Sequence, residues 1–410
     1  MHQRVIVIGH SFTSRLGIIR SVAQIGCEAT VIVMTGRKRF RKSLKDIKQI
    51  DCYSKYVNNV FYCYGTDSEG LIQLLLDKCT DERQKAIIIP DSDFSAAVID
   101  QNQDRLKGKF LFPHINHHPG AVVDWMNKEK QKNLAMEVGL NVAGWKVVDI
   151  TQRSYELPQD IHYPCFSKPL ATIAGGKKLL GRCNHEKALR VVLDKAARLS
   201  TTIRVLIEDY KEIEDEYAVL GCSDGNHVII PAVIKFRQPS KSHVGIALQG
   251  EIVPTNGFEK LIDLFRDYIR RIGFFGIFDI DFYQSEGKLY FGELNLRFGG
   301  SGYAVTKMGV NLPGMLVKRL LGENIDDMNH KISTSALFVN ERMCIEDWYR
   351  GYISTKDFHQ IIKTTDIQFV KDENDPAPLY AFEKSFSKKK YRKPFLESYI
   401  RIKNVINKMI

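Results

Sequence analysis

The stretch from Phe274 to Pro313 constrains the fold of this chain more than any other part of it. It holds two apolar runs with strand alternation, Gly276 to Tyr283 and Lys288 to Leu294, on either side of the polar turn Gln284-Ser285-Glu286-Gly287. A glycine in such a turn is typical of a β-hairpin, because glycine adopts positive φ without strain. The sequence therefore predicts a hairpin with one face in the core and the other face toward a cleft.

Oxygen-bearing side chains recur on one face of this predicted hairpin. Asp281 and Glu293 lie on opposite strands, and Asn295 follows Glu293 by two residues, which puts both on the same face. Carboxylate and amide oxygens suit Mg²⁺ that keeps several waters and shares substrate phosphates. Asp279, two residues before Asp281, competes for the role of first ligand. The alternative interpretation is that these carboxylates are ordinary solvent-facing residues of a hairpin.

A cation and a glycine-rich turn follow the hairpin directly. Arg297 offers a planar, permanently charged guanidinium that can grip phosphoryl or carboxylate oxygens. Gly299, Gly300, Ser301 and Gly302 provide backbone amides that an anion can approach closely. Together with the carboxylates, these residues predict a site for a metal nucleotide.

Length and composition predict a globular protein of two or three domains. The chain has 410 residues and is 44% hydrophobic, which is enough for sizeable cores. Its eight cysteines include no Cys-x-x-Cys pair, which favours reduced thiols in a cytoplasm over zinc sites or a disulfide framework. No apolar stretch reaches the roughly 18 residues that would span a bilayer.

The net charge of +11 is concentrated in two segments. Residues 384–410 carry nine Lys/Arg against one acid, and residues 37–48 carry seven against one. No recognisable nucleic-acid-binding module accompanies these patches, so nucleic acid is not expected as a partner.

The N-terminal part predicts an α/β domain. Strands are expected at residues 4–9, 29–34, 57–62 and 86–90, with helices at about 14–25 and 68–79. This opening is Rossmann-like, but it lacks the Gly-x-Gly-x-x-Gly spacing and the acidic residue of a dinucleotide site. Asp91 and Asp93 follow a strand at the sheet edge where ligands gather in such folds, although turn-forming aspartates are an equally good interpretation.

Several candidate nucleotide-binding residues precede the hairpin, each weak when taken alone. Lys128 and the nearby Lys130 lie in a predicted helix from Asp124 to Val138, and Lys168 ends a predicted strand. Further candidates are a turn that could lie over phosphates (Gly175, Gly176, Lys177), a possible nucleotide-edge hinge (Glu208, Asp209, Tyr210) and Glu216 on the next predicted strand.

In this order, from the N-terminal domain to about Gly322, the chain resembles the ATP-grasp ligases. The resemblance implies an α/β fold with an N-terminal Rossmann-like pre-ATP-grasp domain followed by a two-lobed ATP-grasp domain. It implies that ATP is bound by Lys128, Lys168, the turn at Gly175–Lys177, the adenine hinge Glu208–Tyr210 and the ribose-binding Glu216. It also implies that Asp281, Glu293 and Asn295 hold two Mg²⁺ ions, which Mn²⁺ can replace, and that Arg297 steadies the phosphorylated intermediate.

The expected boundaries are 1–115 for the first domain, 116–325 for the ATP-grasp domain and 326–410 for a C-terminal extension. Within the ATP-grasp domain, the small lobe is expected at about 145–212 and the catalytic lobe at about 213–325. The nearest likeness is to the D-aspartate ligases of cell-wall cross-bridge synthesis, through the Glu293-to-Arg297 motif, the pair Asn311-Leu312 and the basic tail. Large-chain domains of carbamoyl-phosphate synthases are the next relatives.

The implied chemistry is ATP-dependent joining of a small-molecule carboxylate to an amine, such as an amino acid and a cell-wall precursor, through an acyl phosphate. Arg237 and His243 are candidate substrate contacts together with Gly300, Ser301 and Gly302; a surface role is the alternative for Arg237, His243 and the neighbouring Lys235. The alternatives in other classes are a carbamoyl-phosphate or carboxylase-type enzyme and a regulatory ATP-binding protein without turnover.

The basic tail at 384–410 has two competing interpretations. Its apolar stripe predicts a terminal helix docked on the protein, whereas its charge suits an interfacial anchor on anionic lipid at the inner face of a membrane. A cytoplasmic enzyme, single or as a homodimer, fits either.

Overall fold

The computed structural model describes residues 3–36, 49–65, 67–171, 179–200, 202–243 and 245–390, leaving out the side chains of 386–390. The basic run at 37–48, the glycine turn at 172–178 and the end of the tail at 391–410 lie outside the described residues. Within the described part of the chain, no helix has both the length and the apolar character needed to cross a bilayer. All eight cysteines carry free thiols.

The N-terminal part forms the predicted α/β domain. Its strands are β1 (Arg4–Gly9), β2 (Glu28–Thr35), β3 (Val57–Tyr64), β4 (Ala86–Pro90) and β5 (Phe110–Leu111). Its helices are α1 (Phe12–Ala23), α2 (Ser68–Lys78), α3 (Asp93–Gln101) and α4 (Gln103–Leu106). The strands lie parallel in the order β3-β2-β1-β4-β5, so the topology switches direction between β1 and β4. The carboxyl ends of these two strands therefore border the crevice where such sheets bind ligands.

A small lobe with its own core follows. The connecting elements are β6 (His114–Ile115), α5 (Ala121–Asp124) and α6 (Lys128–Glu137); the lobe itself contains β7 (Trp145–Thr151), β8 (Cys165–Pro169), β9 (Gly181–Cys183), α7 (Glu186–Leu199) and β10 (Thr202–Asp209). The strands are antiparallel in the order β7-β10-β8-β9. Helix α7 buries Leu189, Leu193 and Ala196, which share one helical face, against this sheet.

The segment expected to be the catalytic lobe is built on a long antiparallel sheet. Its elements are β11 (Asp215–Asp224), β12 (Val228–Ile229), β13 (Val233–Pro239), β14 (Ala247–Val253), α8 (Glu259–Ile272), β15 (Phe274–Ser285), β16 (Lys288–Asn295), α9 (Gly302–Lys307) and α10 (Leu312–Leu320). Helix α8 packs on the sheet through Ile262, Phe265 and Ile269 and ends at Gly273, whose φ of 70° is favourable only for glycine. This helix leads directly into the hairpin.

The C-terminal extension completes that sheet. It contains β17 (Ala336–Val339), α11 (Glu341–Tyr349), α12 (Thr355–Thr364), β18 (Ile367–Gln368) and α13 (Ala377–Lys390). Strand β17 pairs with β14, and β18 pairs with β17, giving the order β16-β15-β11-β13-β14-β17-β18. The extension is therefore continuous with the catalytic lobe.

The polar segment Asp372 to Pro378 has the composition of a linker, yet it is anchored to the N-terminal domain. Asp375 is fully buried and pairs with Arg20 of α1, Oδ2 to Nε, at 3.0 Å. The same guanidinium donates to the carbonyls of Phe369 and Val370 at 3.0 Å. Residues 369–375 are thus pinned against the N-terminal domain, and two buried charges satisfy each other.

Candidate active site

The hairpin predicted from sequence is present, and its turn fixes its register. Glu286 and Gly287 have φ values of 51° and 70°, the conformation of a two-residue turn that follows the twist of the strands. Ser285 then pairs with Lys288, and further along Asp281 lies opposite Glu293 and Asp279 opposite Asn295. The register shift between Asp281 and Phe282 marks a β-bulge of the kind that re-aims side chains near functional sites.

The carboxylates of the hairpin contact two cationic side chains and one asparagine. Glu293 Oε1 lies 2.9 Å from Lys128 Nζ, and Asn295 Nδ2 donates to Asp281 Oδ2 at 3.3 Å. Asp279 Oδ2 accepts from Arg297 Nη1 at 3.3 Å, while its buried Oδ1 has no hydrogen-bond partner. Both aspartates face the same cavity, so geometry alone leaves either as first ligand.

Burial makes this cluster electrostatically unfavourable as an arrangement of carboxylates alone. Burial, with added repulsion from Asp279 and Glu293, raises the pKa of Asp281 well above its usual range. Burial also raises the pKa of Asp279 to about 6, against the opposing charge of Arg297. A bound cation would offset both effects, so the donor set and the unpartnered Asp279 oxygen fit Mg²⁺. Among the described residues, no group of three or more His, Cys, Asp or Glu side chains is arranged to hold a metal by itself.

A buried charge triad on the small-lobe side was only partly anticipated. Glu208 Oε1 lies 2.5 Å from Lys132 Nζ, and its Oε2 lies 2.8 Å from Lys168 Nζ. Burial alone would raise the pKa of Glu208, but the two lysines outweigh it and lower that pKa. Burial lowers the pKa of Lys132, against the attraction of Glu208. Sequence reasoning missed Lys132, although it follows Lys128 by four residues and therefore shares its helical face.

Helix α6 decides which lysines face the cleft. It begins at Lys128, because Asn127 caps it by accepting from the backbone N–H groups of Glu129 and Lys130. Lys128 and Lys132 are buried, whereas Lys130 lies on the outer face, where it pairs with Asp124 and sits over the Trp125 ring. The helix predicted from Asp124 is accordingly two helices, and Lys130 does not reach the cleft.

The predicted hinge lies at the end of β10, beside a cavity of about 270 Å³ that Glu208 and Asp209 help to line. The N–H groups of Asp209 and Tyr210 donate to the carbonyls of Gly144 and Pro164, which ties the end of β10 to the segments on either side of it. Glu216 is half-buried on β11, and burial raises its pKa. Gly175, Gly176 and Lys177 lie outside the described residues.

Beyond Arg297 lies a cavity of about 470 Å³ between the N-terminal domain, the catalytic lobe and the extension. Arg297 donates through Nε to Asp93 Oδ1 at 3.2 Å, so α3 and the hairpin hold it from two sides. Although burial opposes its charge, Asp93 and Asp279 raise the pKa of Arg297. The guanidinium is therefore a fixed cation beside the hairpin aspartates in the wall of this cavity.

The other predicted substrate residues are only partly brought together. His243, Gly300 and Ser301 line the cavity. Gly302 does not, and its N–H donates to the carbonyl of Gly299. Arg237 forms a half-exposed ion pair with Glu251 of the neighbouring strand, and Lys235 pairs with Asp215 at 2.7 Å. These last two side chains are thus occupied by pairs along the sheet.

The N-terminal domain supplies a cavity wall at its topological switch point. Asp91, just past β4, accepts from the backbone N–H groups of His10 at 3.0 Å and Ser11 at 3.3 Å. Burial raises the pKa of Asp91 to about 7. Of the two aspartates at this sheet edge, Asp91 therefore shapes the β1–α1 turn, and Asp93 reaches Arg297.

Replacing Gly9 with alanine is expected to reduce the free energy of unfolding by about 1–3 kcal/mol. A Cβ at this position would lie 1.3 Å from Asp91 Oδ1, so the turn or the carboxylate must move. Urea unfolding of the variant measures the loss. Gly108→Ala is the matched control, since its Cβ would meet no atom within 4 Å. Equal effects of the two substitutions would contradict the expected clash.

Comparison with curated proteins finds relatives that match part of this chain. No protein-family profile matches the chain. It is 23% identical over 214 residues to the carbamoyl phosphate synthase large chain of Gemmatimonas aurantiaca, covering 51% of this chain and 19% of that protein. It is also 23% identical over 304 residues to the large chain of Clostridium botulinum, covering 70% of this chain and 28% of that one. The chain thus aligns with less than a third of either relative.

Solved structures match over most of the chain. An L-amino acid ligase from Bacillus licheniformis superposes with a TM-score of 0.59 at 15% identity, covering 82% of this chain and 79% of that one. N5-carboxyaminoimidazole synthetase from Staphylococcus aureus, complexed with ADP, gives 0.60 at 16% identity and covers 83% of both chains. At these identities the likeness establishes the fold.

Proposed function

From the premise that this chain is an ATP-grasp protein, we propose that it is an ATP-dependent ligase that activates a carboxylate as an acyl phosphate and joins it to an amine. The observation that carries the proposal is the position of Arg297. Its guanidinium is fixed between Asp93 and Asp279, and it lines the large cavity together with Asp279 and Asp281. Phosphoryl donor and acceptor can therefore meet at this one cation.

The buried lysines suit the donor side. Lys132 and Lys168 already share one carboxylate, Glu208, so a polyphosphate entering beside them would face two cations restrained by one counter-charge. Lys128, paired with Glu293, lies closer to the hairpin. These positions support neutralisation of phosphate charge along the path from the hinge to Arg297, which is the main protein contribution in phosphoryl transfer.

The hairpin suits the metal. Asp281, Glu293 and Asn295 would hold Mg²⁺ together with phosphate oxygens, and Mg²⁺ bound there supplies charge neutralisation of the transferring phosphoryl group. Arg297 would orient the carboxylate that receives the phosphoryl group and then stabilise the oxyanion formed when the amine attacks. Release of phosphate leaves an amide and ADP. Gly300 and Ser301 line the same space and are placed to contact the acyl group.

For the class of substrate, the support comes only from likeness to other proteins. The resemblance to D-aspartate ligases and the fold shared with an L-amino acid ligase support an amino acid as one substrate. A second candidate is an enzyme that activates bicarbonate, which the alignment with carbamoyl phosphate synthase large chains favours. The cavity of about 470 Å³ is in the range that holds a drug-sized molecule, which supports the larger substrate.

Product analysis separates these candidates. The protein is incubated with Mg-ATP and pools of amino acids, with bicarbonate as a separate acceptor, and nucleotide and phosphate products are followed. ADP and phosphate release that requires an amino acid pool supports the ligase. Turnover with bicarbonate alone would support the second candidate, and AMP with pyrophosphate would contradict an acyl phosphate.

A further inference from the structure

A second cavity adjoins the cavity beyond Arg297. The second cavity, of about 260 Å³, is lined by residues of the β1–α1 turn, the start of α1, residues 49 and 50, α11 and α13. His10 and Arg342 line both cavities, so the two spaces meet at these side chains. A path from Arg297 to the second cavity therefore runs past Arg342 of α11.

Arg342 differs from the other arginines near this path. Arg15 is saturated by Asp51, Gln49 and the carbonyl of Gly9, and Arg297 is held by two aspartates. Within the described residues, the only polar contact recorded for Arg342 is one ion pair of 3.6 Å from Nε to Glu346 Oε1. Its guanidinium carbon lies 5.4 Å from the centroid of the Phe12 ring, a cation–π contact that does not use up its N–H donors. This fork suits a carboxylate or phosphate.

The charges along the path are separated by sign. The cavity beyond Arg297 is lined by Asp91, Asp93, Asp279 and Asp281, with Arg297 among these carboxylates and Arg342 where the second cavity adjoins. At the junction, Glu346 pairs with His243 as well as with Arg342, so its charge is shared between two partners. An ammonium group is favoured at the inner end and an anion at the junction.

The second cavity, which is the outer one, has room for a further part of a ligand bound in the cavity beyond Arg297. Its walls include Phe12 and Phe382, whose ring centroids lie 6.0 Å apart, together with the polar side chains of Gln49 and Ser385. A small amino acid bound at Arg297 would leave this space unused. The two cavities together fit a ligand that passes the junction.

We propose that the amine substrate is an elongated molecule that carries a carboxylate or phosphate group, that Arg342 binds this group, and that the remainder lies in the second cavity. The proposal rests on the ligase function proposed above and names the acceptor class for that site. Arg342 thereby acts as a specificity-determining residue contributed by the C-terminal extension.

The test compares acceptor peptides that differ only in charge. Three lysine-containing tripeptides serve as amines for wild type and Arg342→Met. One ends in a free carboxylate, one in an amide and one in a phosphoserinamide. We expect at least a tenfold rise in acceptor KM for the anionic peptides, little change for the amidated one, and an unchanged KM for ATP. The carboxylate and phosphate arms show which anion is preferred.

Two further variants control for folding and for length. Arg350→Met removes an exposed arginine from the end of the same helix and is expected to change nothing. Ser385→Trp, which fills the outer cavity from α13, should weaken longer peptides while leaving single amino acids unaffected. Thermal unfolding verifies that each variant is folded, and Arg342→Gln, which also removes the charge, replaces Arg342→Met if that variant is not.

Binding measured without turnover keeps this proposal separate from the ligase proposal. Calorimetric titration of the same tripeptides into the protein without ATP should show tighter binding of the anionic peptides to wild type than to Arg342→Met. If wild type turns over no pool yet binds in this pattern, the ligase chemistry fails and the anion site stands. The assignment of Arg342 would be overturned if wild type bound charged and amidated peptides equally or bound neither. It would also be overturned if Arg342→Met weakened the binding of both kinds of peptide equally.

Discussion

Substituting Asp281 by asparagine is expected to lower ATP turnover by at least about a hundredfold while leaving the protein as stable as before or more stable. The amide keeps the shape of the side chain and can still contact Asn295, but it cannot neutralise a metal. It also removes a buried charge whose pKa is raised by burial and by Asp279 and Glu293. Steady-state turnover and thermal unfolding, measured on the same preparation, check both parts.

The stability gain should depend on pH with a defined sign. Because the folded pKa of Asp281 is raised, folding takes up a proton that the unfolded chain has lost above its ordinary pKa near 4. The advantage of asparagine is therefore absent below about pH 4 and grows as the pH rises toward neutrality. Asp263→Asn, on the exposed face of α8, is the control for both turnover and stability. Retained turnover in Asp281→Asn would remove the hairpin from the proposed metal site.

The second large effect is expected at Glu208. Replacing it with glutamine leaves Lys132 and Lys168 without their shared counter-charge, and Lys132 is 1% exposed. Breaking a buried pair in this way should reduce the free energy of unfolding by about 3–5 kcal/mol at neutral pH. Urea unfolding measures the loss, and Glu212→Gln, on an exposed pair with Arg182, serves as the control.

A double variant tests the cause of that loss. Adding Lys132→Met to Glu208→Gln removes one of the stranded cations and fills its volume with an apolar side chain, so part of the stability should return. If the double variant is no more stable than Glu208→Gln alone, the loss comes from packing and not from the stranded charge.

The hairpin could be predicted from sequence because its determinants are local. Strand alternation sets the faces, and the Glu286-Gly287 turn sets the register, so the pairing of Asp281 with Glu293 follows from about twenty residues. The choice between Lys128 and Lys130 was also open to a local argument, since the Asn127 cap sets where α6 begins. Because residues four apart share a helical face, the position of Lys128 would also have identified Lys132.

The acceptor side could not be predicted in this way, because its contacts join distant segments. Asp93 was noted only as a residue at a sheet edge, and its partner Arg297 lies 204 residues later. Arg342 carries no local signal, since its position depends on how the extension joins the sheet. The polar composition of the segment from Asp372 to Pro378 likewise gives no hint of its partner in α1.

That last contact bears on how the chain is made. Arg20 is buried in the first helix, yet the carboxylate that neutralises it belongs to Asp375, 355 residues later. Domains generally fold as they leave the ribosome, N-terminal first. Here the first domain leaves the ribosome before the partner of Arg20 has been made. The final packing of this domain therefore requires that the extension has been translated. We expect nascent chains that end before Asp375 to hold this domain in a loosened state.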